Sequence, residues 1–318
     1  MEFSLFPRFG LIFLSSFVPL MGSAAAVGQS DLSVANPVPS VTNTQLSSSE
    51  QAEGAGEKKT ADVLKRVVVM GASASDGFFL PVKLAGAIEG ILKVEHAPVL
   101  HLASDKFFMR PREHGSKQLE RALAARPTLI VGIDYLFWFG YGHIRTDVGR
   151  FALMNWGLEQ LEKVTCPIVL STLPDMRNAN AMMLPDASKP SVESLRQLNA
   201  RIVEWAAERD NVHLVPLQKL NEQWRAKGSV MVNGTDWPGE RKLAMLQWDD
   251  LHPTLAGLSG LTCHIFGVLT EAGVVDAEAV RLDPSALYDS LFAQQKADLQ
   301  EKKRERRARS ESKGSGSD

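Results

Sequence analysis

Arg66-Val67-Val68-Val69-Met70 runs directly into Gly71-Ala72-Ser73-Ala74-Ser75-Asp76-Gly77. From Val67 to Met70 every position is apolar, so the strand predicted here needs cover on both faces, as strands of a parallel sheet do. The small residues that follow predict a tight turn into a helix. Four later runs repeat the pattern: 97–102, 128–132, 167–171 and 212–216. Between and after the strands, 79–94, 116–125, 148–164, 192–209 and 254–272 space their apolar residues three and four apart, as in Leu195, Leu198, Ile202 and Trp205. That spacing predicts amphipathic helices. Strands alternating with helices predict an α/β three-layer sandwich with a five-stranded parallel sheet, whose chemistry lies beyond the carboxyl ends of the strands.

The folding part occupies only the middle of the 318 residues. Residues 1–26 hold Arg8, an apolar run from Leu11 to Met21, and Ala24 and Ala26 spaced for a signal peptidase; they predict a secretory signal peptide. Export to a periplasmic or secreted location follows, or membrane tethering if the peptide is retained. Residues 27–62 are rich in Ser, Gln, Ala and Gly and poor in large apolar side chains, which predicts a disordered linker before a domain at 63–293. Residues 294–318 predict a frayed helix running into a disordered tail, whose Lys302, Lys303, Arg304, Arg306, Arg307 and Arg309 either serve solubility or contact an anionic surface.

Composition narrows the partners. Lys plus Arg number 35 against 37 Asp plus Glu, so the net charge of −2 gives no global field for nucleic acid, and no specific nucleic acid partner is expected. Cys166 and Cys263 both lie in apolar contexts that suit one disulfide or two buried thiols equally. The seven His residues show no metal-binding spacing, so neither metal nor cofactor is expected.

Two constellations carry chemistry. The turn after the first strand offers only Gly71 and Gly77 where a dinucleotide fingerprint needs more glycine, but it presents the Ser73 hydroxyl among backbone amides. Far along the chain, Trp248-Asp249-Asp250-Leu251-His252-Pro253-Thr254 supplies an imidazole and, three residues earlier, a carboxylate that can fix its tautomer. Such a pair can activate a serine hydroxyl.

These blocks resemble those of the SGNH (GDSL-type) serine hydrolases. Gly71-Ala72-Ser73-Ala74-Ser75 is similar to the family's Gly-Asp-Ser-x-Ser, and Asp249-Asp250-Leu251-His252-Pro253 matches its Asp-x-x-His-Pro in full. The resemblance implies a flavodoxin-like five-stranded sheet and an ester hydrolase without cofactor. It makes Ser73 the nucleophile, His252 the base and Asp249 its orienting carboxylate. Its substrate would be an acylated carbohydrate, such as an O-acetylated polysaccharide, or a lipid.

The third block departs from the pattern. Gly132-Ile133-Asp134-Tyr135 places Asp134 where the family Asn donates to the oxyanion beside Ser73. A carboxylate only accepts, and losing one such donor costs about 3 kcal/mol of transition-state stabilisation. Asp134 is then protonated, rotated away, or given another task. The oxyanion glycine is left open among Ser104, Gly115 and Ser116. These departures keep a second expectation in play, a catalytically weakened SGNH-fold binding or scaffold protein. After Asp134 comes the aromatic run 135–143, in which Tyr135, Trp138 and Tyr141 are candidates for a substrate wall.

Overall fold

The computed structural model describes residues 62–314, with side chains as far as Glu305. The expected signal peptide, and the linker apart from Asp62, lie outside the described residues.

The main sheet is built from β1 (Val67–Val69), β2 (Leu100–His101), β3 (Leu129–Val131), β4 (Ile168–Ser171) and β5 (Val212–Val215). All neighbours are parallel, in the order β2-β1-β3-β4-β5, which is the flavodoxin-like order and places a topological switch point between β1 and β3. Nine helices are used below: α1 (Ser73–Asp76), α2 (Leu84–Glu89), α3 (Pro111–Ala124), α4 (Phe137–Gly140), α5 (Asp147–Leu161), α6 (Val192–Ala207), α7 (Leu217–Lys227), α8 (Leu255–Glu271) and α9 (Pro284–Gly314).

The strands feed two cores by strict alternation. Val67, Val69, Leu129, Val131 and Val169 face the layer of α2, α8 and α9, whereas Val68, Ile130, Ile168 and Leu170 face α3, α5 and α6. A side-chain period of two on a sheet covered on both sides is why the strands read as continuous apolar runs.

Several boundaries differ from the sequence expectation. The helix expected over 79–94 shrinks to α2, because Phe79 takes a left-handed φ of 56° and Pro81 interrupts the run before Lys83. The expected helix at 116 begins at Pro111, where a missing N–H costs nothing in the first turn. The domain end expected at 293 falls inside α9, which continues unbroken to Gly314 because its Ala, Gln, Lys, Glu and Arg residues favour helix. Cys166 and Cys263 are free thiols belonging to opposite cores, so the disulfide alternative is excluded. Burial pushes their thiols up to about 11 and about 12 respectively.

Two elements were not foreseen. α7 follows β5 directly, and an antiparallel hairpin pairs β6 (Val230–Val232) with β7 (Thr235–Trp237). Asn233 and Gly234 form the hairpin turn at φ 49° and 79°, the left-handed pair that Asn-Gly provides at least strain.

Candidate active site

Ser73 is the first residue of α1, immediately beyond β1 at the switch point of the sheet. His252 and Asp249 lie on the loop that enters α8, whose first turn is capped by the Thr254 hydroxyl accepting from the Gly257 N–H at 3.2 Å. His252 Nε2 is 2.8 Å from Ser73 Oγ, and His252 Nδ1 is 2.7 Å from Asp249 Oδ2. The other Asp249 oxygen accepts the backbone N–H groups of Leu251 and His252, each at 3.0 Å. Asp249 is fully buried. Burial alone would raise its pKa, but hydrogen bonds from the His252 side chain and the two amides outweigh it and hold the carboxyl below its ordinary range.

Side chains that the sequence reading missed hold this relay in place. Gln247 donates through Nε2 to the carbonyls of Phe78 at 2.7 Å and Pro253 at 2.8 Å, bridging the nucleophile and histidine loops. The Phe78 ring stacks on the His252 imidazole at 4.2 Å. Gln118, on α3, clamps the Gly71 backbone, accepting its N–H at 2.8 Å and donating to its carbonyl at 2.9 Å. Only contacts between segments far apart in sequence assign these tasks, so a reading of short motifs had no signal for them.

Asp134 has another task. Its carboxylate accepts from the amides of Ala72 (2.9 Å), Ala74 (2.9 Å) and Ser75 (3.1 Å) and from the Ser75 hydroxyl (2.6 Å). It therefore organises the nucleophile turn by accepting from its amides, and a Cβ at Gly71 would run into Asp134 Oδ1. Burial raises its pKa above the ordinary carboxylate range, opposed by these four donors. With Ala72, Ala74 and Ser75 engaged, the turn keeps the Ser73 N–H, which has no intrahelical acceptor at the first position of α1. Of the open oxyanion positions, Gly115 and Ser116 lie within α3, and the Ser104 amide is committed to the Gly71 carbonyl at 3.1 Å.

Beside Ser73 and His252 opens an apolar cavity of about 130 Å³. One wall is Phe137 and Trp138. The expectation for Tyr135 and Tyr141 is corrected, since both are buried away from it in the aromatic core. Tyr135 meets Phe107 and Phe139 edge-on, and Tyr141 stacks on Phe137 while donating its hydroxyl to the Pro174 carbonyl at 2.7 Å. The unforeseen elements line the cavity too, with Leu220 and Trp224 of α7 and Val230 and Val232 of β6.

No family model matches this chain, and no curated protein matches it. Among solved structures it is similar to a lipase/acylhydrolase from Enterococcus faecalis, at 16% identity over 69% of this chain and 98% of that chain, with a TM-score of 0.44. It is also similar to TesA (16% identity, 65% and 99%, TM-score 0.42). A catalytic mutant of an acetylxylan esterase from Geobacillus stearothermophilus is similar at 14% identity (67% and 95%, TM-score 0.43). The chain resembles SGNH-type hydrolases in its sheet order and in the chain order Ser73, Asp249, His252.

Proposed function

We propose that this protein is a serine esterase that hydrolyses an O-acyl ester through an acyl-enzyme. The observation that carries the reading is the unbroken relay from Ser73 Oγ through His252 to the buried Asp249 at the edge of an apolar cavity. Ser73 Oγ attacks the ester carbonyl as His252 Nε2 takes its proton, and Asp249 stabilises the imidazolium. The Ser73 N–H faces the developing oxyanion. His252 then gives the proton to the leaving alcohol, and a water activated by the same imidazole releases the acid. No cofactor enters these steps.

The apolar lining favours an acyl chain over an acetyl group, because burying each methylene contributes about 0.8 kcal/mol. The alcohol half, carbohydrate or lipid, is part of the proposal, as are export and contact of the basic end of α9 with an anionic surface. Lys302, Lys303 and Arg304 are exposed on α9; the side chains of Arg306, Arg307 and Arg309 lie outside the described ones. Hydrolysis of 4-nitrophenyl esters of increasing chain length tests the reading: turnover should rise from acetate to a medium chain and vanish in Ser73→Ala. Equal turnover by Ser73→Ala would overturn it.

The engagement of three turn amides by Asp134 favours a second reading, a weakened SGNH-fold binding protein. It requires saturable binding of an acyl ester by the wild type with no acyl-enzyme detectable by mass.

A further inference from the structure

Large apolar side chains stand in solvent on the loops around Ser73. Phe79 (72% exposed) follows α1, Phe108 (55%) and Met109 (64%) lie on the turn at 105–109 after β2, Met182 (86%) on the loop after β4, and Trp248 (64%) next to Asp249. Of the four exposed aromatic rings among the described residues, three are in this set, and the fourth, Phe292, belongs to α9. Contacts tie the set to the site. The Phe79 ring lies 4.2 Å from Phe78, which stacks on His252, and Phe108 meets Trp138 of the cavity wall at 5.7 Å. The Asp105 N–H donates to Asp76 Oδ2 at 3.0 Å, joining the Phe108 turn to the end of α1. The Asn180 N–H donates to the Asp249 carbonyl at 2.9 Å while Asn180 Oδ1 accepts the Met182 N–H at 2.9 Å, which holds the Met182 loop against the one carrying Trp248. Phe79 also sits at a left-handed φ of 56°, where a bulky residue is strained, and with its ring in solvent, core packing does not account for keeping it there. Exposed apolar groups gathered in this way mark a surface that is covered in use.

We propose that these loops dock on a lipid surface, from which the acyl esters cleaved at Ser73 are drawn. The proposal rests on the esterase reading above and names the physical state of its substrate. The place of the cavity selects the occupant. A protein partner or a second copy of this chain seated on these residues would cover the opening beside Ser73 and His252 and shut substrate out. A lipid surface covers the same side chains and delivers an acyl chain to a cavity lined by Phe137, Trp138, Leu220 and Trp224. Phenylalanine and tryptophan side chains settle at the boundary between headgroups and acyl chains, where their rings leave water.

Co-sedimentation of the full chain carrying Ser73→Ala with phosphatidylcholine vesicles reads docking without turnover. These vesicles carry no net charge, so the basic end of α9 has no anionic surface to meet. The protein should bind them, and adding Phe79→Ser, Phe108→Ser and Trp248→Ser together should weaken binding at least tenfold, because three large apolar side chains no longer leave water. The triple variant shares every other segment with its parent, so the difference belongs to these side chains. Its thermal midpoint should stay within a few degrees, as expected for exposed positions. A second measurement is independent of any folding defect. Phosphatidylcholine brominated on its acyl chains should quench part of the tryptophan emission of the Ser73→Ala protein, and Trp248→Phe, which keeps an apolar ring, should lose most of that quenching while still binding. Absence of vesicle binding, equal binding by the triple variant, or undiminished quenching in Trp248→Phe would overturn the proposal. So would self-association that the triple variant abolishes and vesicles do not compete with, which would assign the surface to a second copy. Failure of the esterase reading has a different signature: vesicle docking intact, with no covalent modification of Ser73 in the wild type.

Discussion

The Gln247 side-chain amide donates to the Phe78 carbonyl at 2.7 Å across 169 positions of chain. Phe78 in turn stacks on His252, so one amide group sets the distance between the nucleophile loop and the imidazole. Proton transfer from Ser73 depends on that distance, and small misplacements of reacting groups cost rate far beyond the energy of the bond that held them.

Replacing Gln247 by Leu should therefore lower kcat about tenfold or more with little change in KM. The thermal midpoint should fall by only a few degrees, since each lost hydrogen bond is worth about 1 kcal/mol. Steady-state kinetics beside thermal unfolding check both; a change confined to KM would contradict the positioning role.

Asp134→Asn separates two accounts of the third block. An oxyanion role for the family amide predicts that asparagine restores activity. The geometry predicts the reverse, because an amide NH2 would face the N–H donors that now meet Asp134 oxygens. The variant should lose stability and most of its ester turnover, measured by unfolding and by hydrolysis of a medium-chain ester. A gain in turnover would return Asp134 to the oxyanion.

Asp249 gives a pH signature. Its folded-state pKa lies below the ordinary aspartate value of 3.8, so its stabilisation is fully present above that value and is lost as pH falls through the lower folded one. Asp134, raised by burial, has the opposite sign, which makes Asp249→Asn the informative comparison. At neutral pH the wild type should melt well above Asp249→Asn, and the gap should begin to narrow below about pH 4 and shrink further as pH falls. A gap independent of pH would contradict it.

Cys166 and Cys263 supply a negative expectation with a clear readout. As free thiols in separate cores they give reducing agents nothing to break. The thermal midpoint should be the same with and without dithiothreitol, and a drop of several degrees would indicate a bond.

Much of this was legible in the sequence for a physical reason. Runs such as Val67-Val68-Val69 are apolar on both faces because the sheet is covered twice, and Ser73, Asp249 and His252 stand in local motifs that need no long-range knowledge. Asp134 was legible as an anomaly, but its task was not, because acceptance of three turn amides is set by the parallel neighbours β1 and β3. The Asn233-Gly234 pair is a local hairpin signal that short-range sequence carries by itself. α7 was harder: Leu217, Leu220 and Trp224 have helical spacing but are only partly buried, among polar residues. Tyr135 and Tyr141 show the limit of composition, since an aromatic run does not say which of its rings faces a cavity.

The central claim is that Ser73 is an activated nucleophile. Incubating folded protein with a fluorophosphonate probe and locating the adduct by peptide mass spectrometry tests it directly. A single adduct on Ser73, absent from Ser73→Ala and strongly diminished in His252→Ala, is the predicted result. A wild-type protein that stays folded and takes up no probe at Ser73 would contradict the account.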